Sequence, residues 1–192
     1  MTQELTTLYF DSPGAKNTEE ILRVAVQRAI VLGAGHVVVA STTGRTGRRA
    51  LELARELGFA GQIVIVGEHA GFKDANVQQM PIEARRELEA AGARVVIGTH
   101  ALSSAARSFR LRWGGIDMLE TIAETLRRFG AGVKVCVECS LMAADAGEIP
   151  VDQDVVAVAG SGGGADSAVV LRPANQNRFF DLKVREIIGM PR

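Results

Sequence analysis

The sequence HVVVASTTGRTGRRALELAREL, residues 36–57, decides the fold. It joins a run of β-branched residues, typical of a buried strand, to a turn of Ser, Thr, Gly and Arg and then to an amphipathic helix. A strand that ends in such a turn directs several backbone N–H groups and the positive end of a helix dipole into one small volume. The sequence therefore predicts a phosphate-binding turn.

This turn also supplies the side chains that an anion needs. Its hydroxyl and guanidinium groups are hydrogen-bond donors, and its glycine lets the backbone approach a ligand closely. The predicted phosphate-binding residues are Ser41, Thr42, Thr43, Gly44, Arg45 and Thr46. Small polar residues also cap helices at ordinary strand–helix turns, so a purely structural turn is the alternative interpretation.

The composition favours one globular domain with a small-molecule partner. The chain has 192 residues, of which 47% are hydrophobic, and we expect a single domain over residues 1–192. Its 22 basic and 22 acidic residues give no net charge, which argues against binding to nucleic acid polymers or an anionic membrane. There is no apolar run of transmembrane length and no signal-peptide pattern, so we expect a cytoplasmic protein. The sequence is compatible with a homo-oligomer.

Helix and strand patterns alternate along the chain, which is typical of a doubly wound α/β sheet. Helices are predicted to begin after Asn17 as N-cap, to begin at Pro81 and to end before Gly130. Strands are predicted at residues 36–40, 62–66, 94–98, 133–137 and 155–159. Residues 167–171 would form a hairpin with the last of these, and residues 180–188 an edge strand paired with residues 8–10.

Doubly wound sheets bind ligands beyond the carboxyl ends of their strands. Beyond the phosphate-binding turn, the residues that follow predicted strands are His69, His100, Glu138, Gly160, Ser161, Gly162, Gly163 and Gly164. We expect Glu138 to line the pocket and to face the ligand's body or a histidine. His69, His100 and Glu138 are candidate acid–base residues, although a single loop histidine more often has no catalytic role. They lack the tight spacing of a metal motif, so we expect no metal site.

Two further features have competing interpretations. Cys136 and Cys139 form a C-x-x-C motif, which we interpret as buried thiols in a strand rather than as a disulfide or a redox site. Three arginines precede or flank a tryptophan in a predicted short helix. The segment consists of Arg107, Arg110, Arg112 and Trp113. It either closes over an anionic or aromatic ligand or forms a solvated helix face with one anchoring tryptophan.

Residues 37–57 resemble the strand, phosphate loop and helix of the C-terminal domain of pyruvate kinase. The segment DVVAVAGSGGGADSAVVL, residues 154–171, is similar to that domain's last strand pair and glycine-rich effector loop. The segments HAGF, GTHALS and MAADAGEIPVD extend the resemblance to stand-alone pyruvate kinase C-terminal-like (alpha/beta domain) proteins, from Asn17 to Leu171. The resemblance implies a three-layer αβα sandwich with strand order 3-2-1-4-5 and an antiparallel last strand.

The resemblance does not imply pyruvate kinase activity, because that chemistry takes place in a separate barrel domain for which 192 residues leave no room. The family's effector is a sugar bisphosphate, but here a second phosphate would meet Asp166 rather than an arginine. We therefore expect binding of a monophosphorylated molecule, either a nucleotide such as flavin mononucleotide (FMN) or a sugar phosphate. The alternative is an enzyme acting on a phosphorylated metabolite, with His100 or His69 as general acid or base and Glu138 orienting it.

Overall fold

The computed structural model describes residues 2–192 as a seven-stranded sheet with helices on both faces. The strands are β1 (Leu8–Phe10), β2 (His36–Ala40), β3 (Gln62–Glu68), β4 (Arg94–Gly98), β5 (Val155–Ala159), β6 (Ser167–Arg172) and β7 (Lys183–Pro191). The α-helices are α1 (Thr18–Leu32), α2 (Arg45–Leu57), α3 (Ile82–Ala90), α4 (Ser104–Trp113), α5 (Met118–Arg127) and α6 (Ala131–Asp145). Short 3-10 helices lie at Ala15–Asn17 and Gln176–Asp181. The predicted α/β class is confirmed.

The strands follow the order β1-β7-β6-β5-β2-β3-β4 across the sheet. The central strands β4, β3, β2 and β5 are parallel to one another, whereas β6 is antiparallel to both β5 and β7. The predicted hairpin between β5 and β6 is therefore confirmed. Because the chain proceeds from β2 to β3 on one side and β5 lies on the other, the switch point of the sheet lies between β2 and β5.

Alternate residues of β2 show how the layers form. Val37 and Val39 pack into a core with α1, α2 and α3, while Val38 packs into a second core with α5 and α6. All three valines are fully buried. A parallel strand covered on both faces must be apolar on both sides, which explains the continuous apolar run in the sequence. The predicted αβα sandwich is confirmed.

The strand order differs in part from the prediction, because residues 133–137 belong to helix α6. Val133, Val135 and Val137 alternate with other residues as in a strand, but α6 is buried along most of its length. A helix buried on all sides shows no amphipathic period, so its sequence resembles that of a strand. The place beside β2 is taken by β5 instead. No helix within residues 2–192, α6 included, is long and apolar enough to cross a membrane.

Two predictions about the N-terminal region are partly right. Residues 8–10 pair with the C-terminal strand, as expected, but this pairing makes β1 the edge strand and places β7 inside the sheet. Asn17 is the N-cap residue of α1, also as expected, but its side chain does not cap the helix. Its Nδ2 instead donates a hydrogen bond to the carbonyl oxygen of Ser12 at 2.8 Å.

The two cysteines are free and buried, as predicted, although they lie on a helix rather than a strand. Burial raises the pKa of the Cys139 thiol to about 12 and that of Cys136 well above its usual value. Since the thiolate is the reactive form, neither cysteine is a nucleophile at neutral pH.

Candidate functional site

A cavity of about 1250 Å³ opens at the carboxyl edge of the sheet, beside the switch point. The segments that follow β2, β3, β4 and β5 line it together with α4, α5 and α6. Doubly wound sheets bind their ligands at this edge, and small-molecule pockets usually enclose about 300–1000 Å³. The cavity therefore has room for a molecule of nucleotide size.

The turn after β2 carries the start of helix α2 onto the cavity wall. Gly44 is the N-cap residue and has a φ of 88°, in the left-handed region that favours glycine. Thr42, Thr43, Arg45 and Thr46 all line the cavity. The N–H groups in the first turn of a helix have no acceptor within the helix, and the positive end of the helix dipole lies there. The turn has the chemistry of an anion site.

Ser41 has a structural role in this turn. Its Oγ accepts a hydrogen bond from the backbone N–H of Gly47 at 3.2 Å, and its side chain is buried. This bond satisfies one N–H of the first helical turn of α2 and fixes the turn against the end of β2. Ser41 still lines the cavity, but its hydroxyl oxygen serves to hold the turn in place.

Arg49, one turn further along α2, is already paired with carboxylates. It donates hydrogen bonds to Glu19 at 2.7 Å, to Glu52 at 2.8 Å and to Glu56 at 2.9 Å. The hydrogen bond from Arg49 is the main cause that lowers the pKa of Glu19 to about 2. Since these partners neutralise Arg49, the exposed Arg45 is the cation through which α2 can contact a ligand.

The glycine-rich loop between β5 and β6 lines the same cavity, and hydrogen bonds to Asp166 hold it in place. The carboxylate of Asp166 accepts hydrogen bonds from the backbone N–H of Gly14 at 3.0 Å and from Ser161 N–H at 3.2 Å. It also accepts bonds from the hydroxyls of Ser161 at 3.2 Å and Ser167 at 2.9 Å. Asp166 is fully buried. The expectation that it would meet a second phosphate is therefore wrong, because its carboxylate is occupied by the loop.

The packing of this loop predicts the effect of an added methyl group. Gly164 has a φ of 68°, and a Cβ there would lie 2.4 Å from Thr18 Oγ1 and 2.7 Å from Ala15 Cα. We expect Gly164→Ala to lower the free energy of unfolding, measured in urea, by at least about 1 kcal/mol from its left-handed backbone alone. Gly162→Ala is the control, since a Cβ at Gly162 meets nothing within 4 Å. Equal stability of the two variants would contradict the packing described here.

The two predicted histidines lie side by side with an aromatic residue. The ring centroids of His69 and His100 are 5.7 Å apart, and that of Phe72 is 4.7 Å from His100. The guanidinium of Arg107 lies over the Phe72 ring at 5.4 Å. His100 and Phe72 line the cavity directly. The structure thus brings the histidines together and adds Phe72, a residue that sequence reasoning had not assigned to the site.

Glu138 enters the cavity from helix α6 rather than from the end of a strand. Its Oε2 lies 2.5 Å from Nζ of Lys134, and its Oε1 accepts a hydrogen bond from the backbone N–H of Leu102 at 2.9 Å. Lys134 and Glu138 are 5% and 4% exposed, so this ion pair is shielded from solvent. Sequence reasoning missed Lys134. The spacing of four residues between Lys and Glu, typical of a helical ion pair, is the signal that would have identified it.

Most of these elements lie in a region that matches a known protein family. The family model for the pyruvate kinase alpha/beta domain matches residues 19–171. The chain belongs to this family. In this pyruvate kinase alpha/beta domain protein the matched region runs from α1 to β6, so it contains the turn after β2, the Lys134–Glu138 ion pair and the glycine-rich loop with Asp166. Strands β1 and β7 extend the sheet outside the matched region.

Helix α4 of this pyruvate kinase alpha/beta domain protein carries the arginine-rich segment. Arg107 and Arg110 line the cavity, and Arg110 is paired with Glu120 at 2.9 Å. Arg112 lies over the ring of Trp113 instead, at 5.3 Å. Trp113 is 68% exposed, so the idea that it anchors the helix in the core is wrong. Within residues 2–192, no cluster of three or more His, Cys, Asp or Glu could hold a metal ion.

The environment of His100 predicts a pH dependence of stability. Burial lowers the pKa of His100 below 6.5, outweighing Glu138 and Glu68, which raise it, while Lys134 and His69 lower it further. The unfolded chain therefore binds more protons at His100 below pH 6.5, and stability falls as the pH falls through the folded-state pKa.

We expect the C2–H resonance of His100, identified by its loss in His100→Gln, to titrate with a midpoint below 6.5. We also expect His100→Gln to lose less stability than the parent chain between about pH 6.5 and pH 5. A midpoint at or above 6.5 would show that His100 is not desolvated in this way.

Proposed function

We propose that this protein binds a monophosphorylated small molecule in the cavity, with the phosphate at the first turn of α2. The observation that carries the proposal is the arrangement of donors around that turn: first-turn N–H groups after Gly44, three threonine hydroxyls and the Arg45 guanidinium on one wall. Helix N-termini with such donors are common phosphate sites. The net charge of zero is consistent with this, since recognition must then come from a local site.

The body of the ligand would extend from this turn toward the glycine-rich loop and His100. Glycines without side chains let a flat ring approach the backbone, and Phe72 and His100 offer aromatic faces on the cavity wall. The loop contains no basic residue, which favours one phosphate over two. A nucleotide such as FMN satisfies these requirements, and a sugar phosphate is the other class of ligand that we propose.

Matched pairs of compounds test the proposal directly. FMN and riboflavin differ by one phosphate, as do ribose 5-phosphate and ribose. We expect the phosphorylated member of at least one pair to bind at least about tenfold more tightly, by calorimetry, because charge-assisted hydrogen bonds contribute at least that much. Native mass spectrometry of the purified protein would identify a ligand retained from the cell. Equal binding within both pairs would overturn the proposal.

We also propose that the protein is cytoplasmic and that its partner is a small molecule. Its two free thiols are compatible with a reducing compartment. We propose neither a nucleic acid polymer nor a membrane as partner, and a homo-oligomer is compatible with the site. Pyruvate kinase activity is not part of the proposal, because family membership concerns the fold whereas activity depends on the site.

A second candidate function is an enzyme that acts on a phosphorylated metabolite. The observation in its favour is His100, whose lowered pKa leaves a neutral imidazole at the cavity wall that can accept a proton. His69 lies beside it, whereas Glu138 bonds to Lys134 and Leu102 and would act on His100 through its charge. Turnover that His100→Ala abolishes, with phosphate binding retained, would support this function. Turnover that survives His100→Ala would exclude His100 as the base.

A further inference from the structure

The ion pair on α6 lies inside the cavity but has no part in the proposed phosphate site. Lys134 and Glu138 both line the cavity although each is almost completely buried. Such a pair is expensive to desolvate, and it needs further hydrogen bonds to be stable. The carboxylate has them, since its two oxygens accept bonds from Lys134 and from the N–H of Leu102.

The ammonium group of Lys134 is less completely satisfied. It carries three N–H donors, and among the described residues its hydrogen bond goes to Glu138. Its other N–H donors have no acceptor among the described residues, and because Lys134 lines the cavity they are available to an acceptor atom of a ligand there. This observation points to a ligand atom at Lys134.

The charge of the pair determines which atom that can be. Lys134 and Glu138 together carry no net charge, and an oxygen bound to Nζ lies close to the Glu138 carboxylate as well. A second anionic group on the ligand would therefore be repelled by Glu138, whereas an uncharged carbonyl or hydroxyl oxygen would not. Of the cavity-lining arginines of α4 and α5, Arg110 is paired with Glu120 and Arg127 with Glu124. Arg107 has the Phe72 ring rather than a carboxylate as its neighbour, but the oxygen bound to Lys134 still lies next to Glu138.

We propose that Lys134 is a second anchor of the site, binding an uncharged acceptor oxygen of the ligand's body, and that Glu138 excludes ligands with a second anionic group. The ligand class is then a phosphate monoester whose remainder is neutral and carries a carbonyl or hydroxyl group. This inference rests on the proposed function, since it concerns the far end of a molecule whose phosphate is held at α2.

Two small compounds that differ at this end test the inference. Glycerol 3-phosphate and 3-phosphoglycerate share a phosphate and a three-carbon chain, but the first ends in a hydroxyl and the second in a carboxylate. NMR titration of the full chain measures millimolar affinities for both. We expect the parent protein to bind glycerol 3-phosphate more tightly than inorganic phosphate and about tenfold more tightly than 3-phosphoglycerate.

Two variants test how the charges of Lys134 and Glu138 set the preference between the two compounds. Glu138→Gln keeps an acceptor for Leu102 but leaves the charge of Lys134 uncompensated, so we expect it to prefer 3-phosphoglycerate. If that variant does not fold, Lys134→Met/Glu138→Gln replaces the pair by neutral groups, and the two compounds should then bind within about threefold of each other. A parent protein that binds both compounds equally, or a preference unchanged in these variants, would overturn the inference.

The outcomes also distinguish this inference from the proposed function. If inorganic phosphate fails to perturb the amides of residues 44–46 in the parent protein, the proposed phosphate site is wrong. If phosphate perturbs those amides but the preference between the two compounds is absent, the phosphate site stands and the role of Lys134 and Glu138 is wrong.

Discussion

Replacing Lys134 by Met is expected to lower the free energy of unfolding by about 3–5 kcal/mol, the usual effect of removing one partner of a buried ion pair. The reason is that Glu138, 4% exposed, would remain as a buried charge with no cation beside it. Chemical denaturation followed by circular dichroism measures the change. This is among the two largest effects that we predict, and it concerns a residue that also lines the candidate site.

A double variant provides the control for this prediction. In Lys134→Met/Glu138→Gln the buried charge is gone, while the glutamine carbonyl can still accept the hydrogen bond from Leu102. We expect the double variant to recover at least about half of the stability lost by Lys134→Met, since neutral replacements of buried pairs are often well tolerated. If the double variant were less stable than Lys134→Met, the penalty would not arise from the unpaired carboxylate.

The second large effect concerns Arg45. Arg45→Ala is expected to weaken the binding of a phosphorylated ligand by about 1.5–3 kcal/mol, or about 10- to 150-fold, because it removes a charge-assisted hydrogen bond. The free energy of unfolding of Arg45→Ala should differ from that of the parent chain by less than about 0.5 kcal/mol, since Arg45 is an exposed side chain. Calorimetric titration with the phosphorylated ligand measures the first quantity and denaturation the second.

Arg48→Ala is the matched control, because it removes the same charge from the same turn of α2. Arg48 is exposed and paired with Glu87, and it does not line the cavity. We expect its effect on ligand binding to be less than about threefold, through long-range charge alone. If both variants weakened binding equally, the net charge of α2 rather than the Arg45 contact would be responsible.

The parts of the fold that sequence reasoning predicted are those with strong local signals. Residues 36–57 combine a β-branched run, a polar turn and an amphipathic helix, and each signal agrees with its neighbours, so β2, the turn and α2 follow directly. The β5–β6 hairpin was equally accessible, because two apolar runs flank a glycine-rich loop.

Helix α6 shows where this reasoning fails. Its alternating valines predict a strand, and only burial on all sides by the sheet and α5 explains why a helix forms there. Because of this wrong prediction, Glu138 was expected at the end of a strand, and its helical ion pair with Lys134 was not predicted. Glu138 still lines the cavity, because the helix lies against the same edge of the sheet.

The role of Asp166 was hidden for a different reason. Its acidic charge in a polar loop is compatible with a ligand contact, and nothing local reveals that Gly14, more than 150 residues away, donates to it. Long-range hydrogen bonds of this kind depend on the assembled sheet. The same applies to Phe72, whose position beside His100 depends on the packing of the segment after β3 against that after β4.

The central claim is that an anion binds at the first turn of α2, and an NMR titration of the backbone amides with inorganic phosphate tests it most directly. We predict saturable shifts of the amide resonances of Gly44, Arg45 and Thr46, which Arg45→Ala weakens and Arg48→Ala leaves in place. Shifts confined to residues 107–112, or no saturable shift at residues 44–46, would contradict the claim.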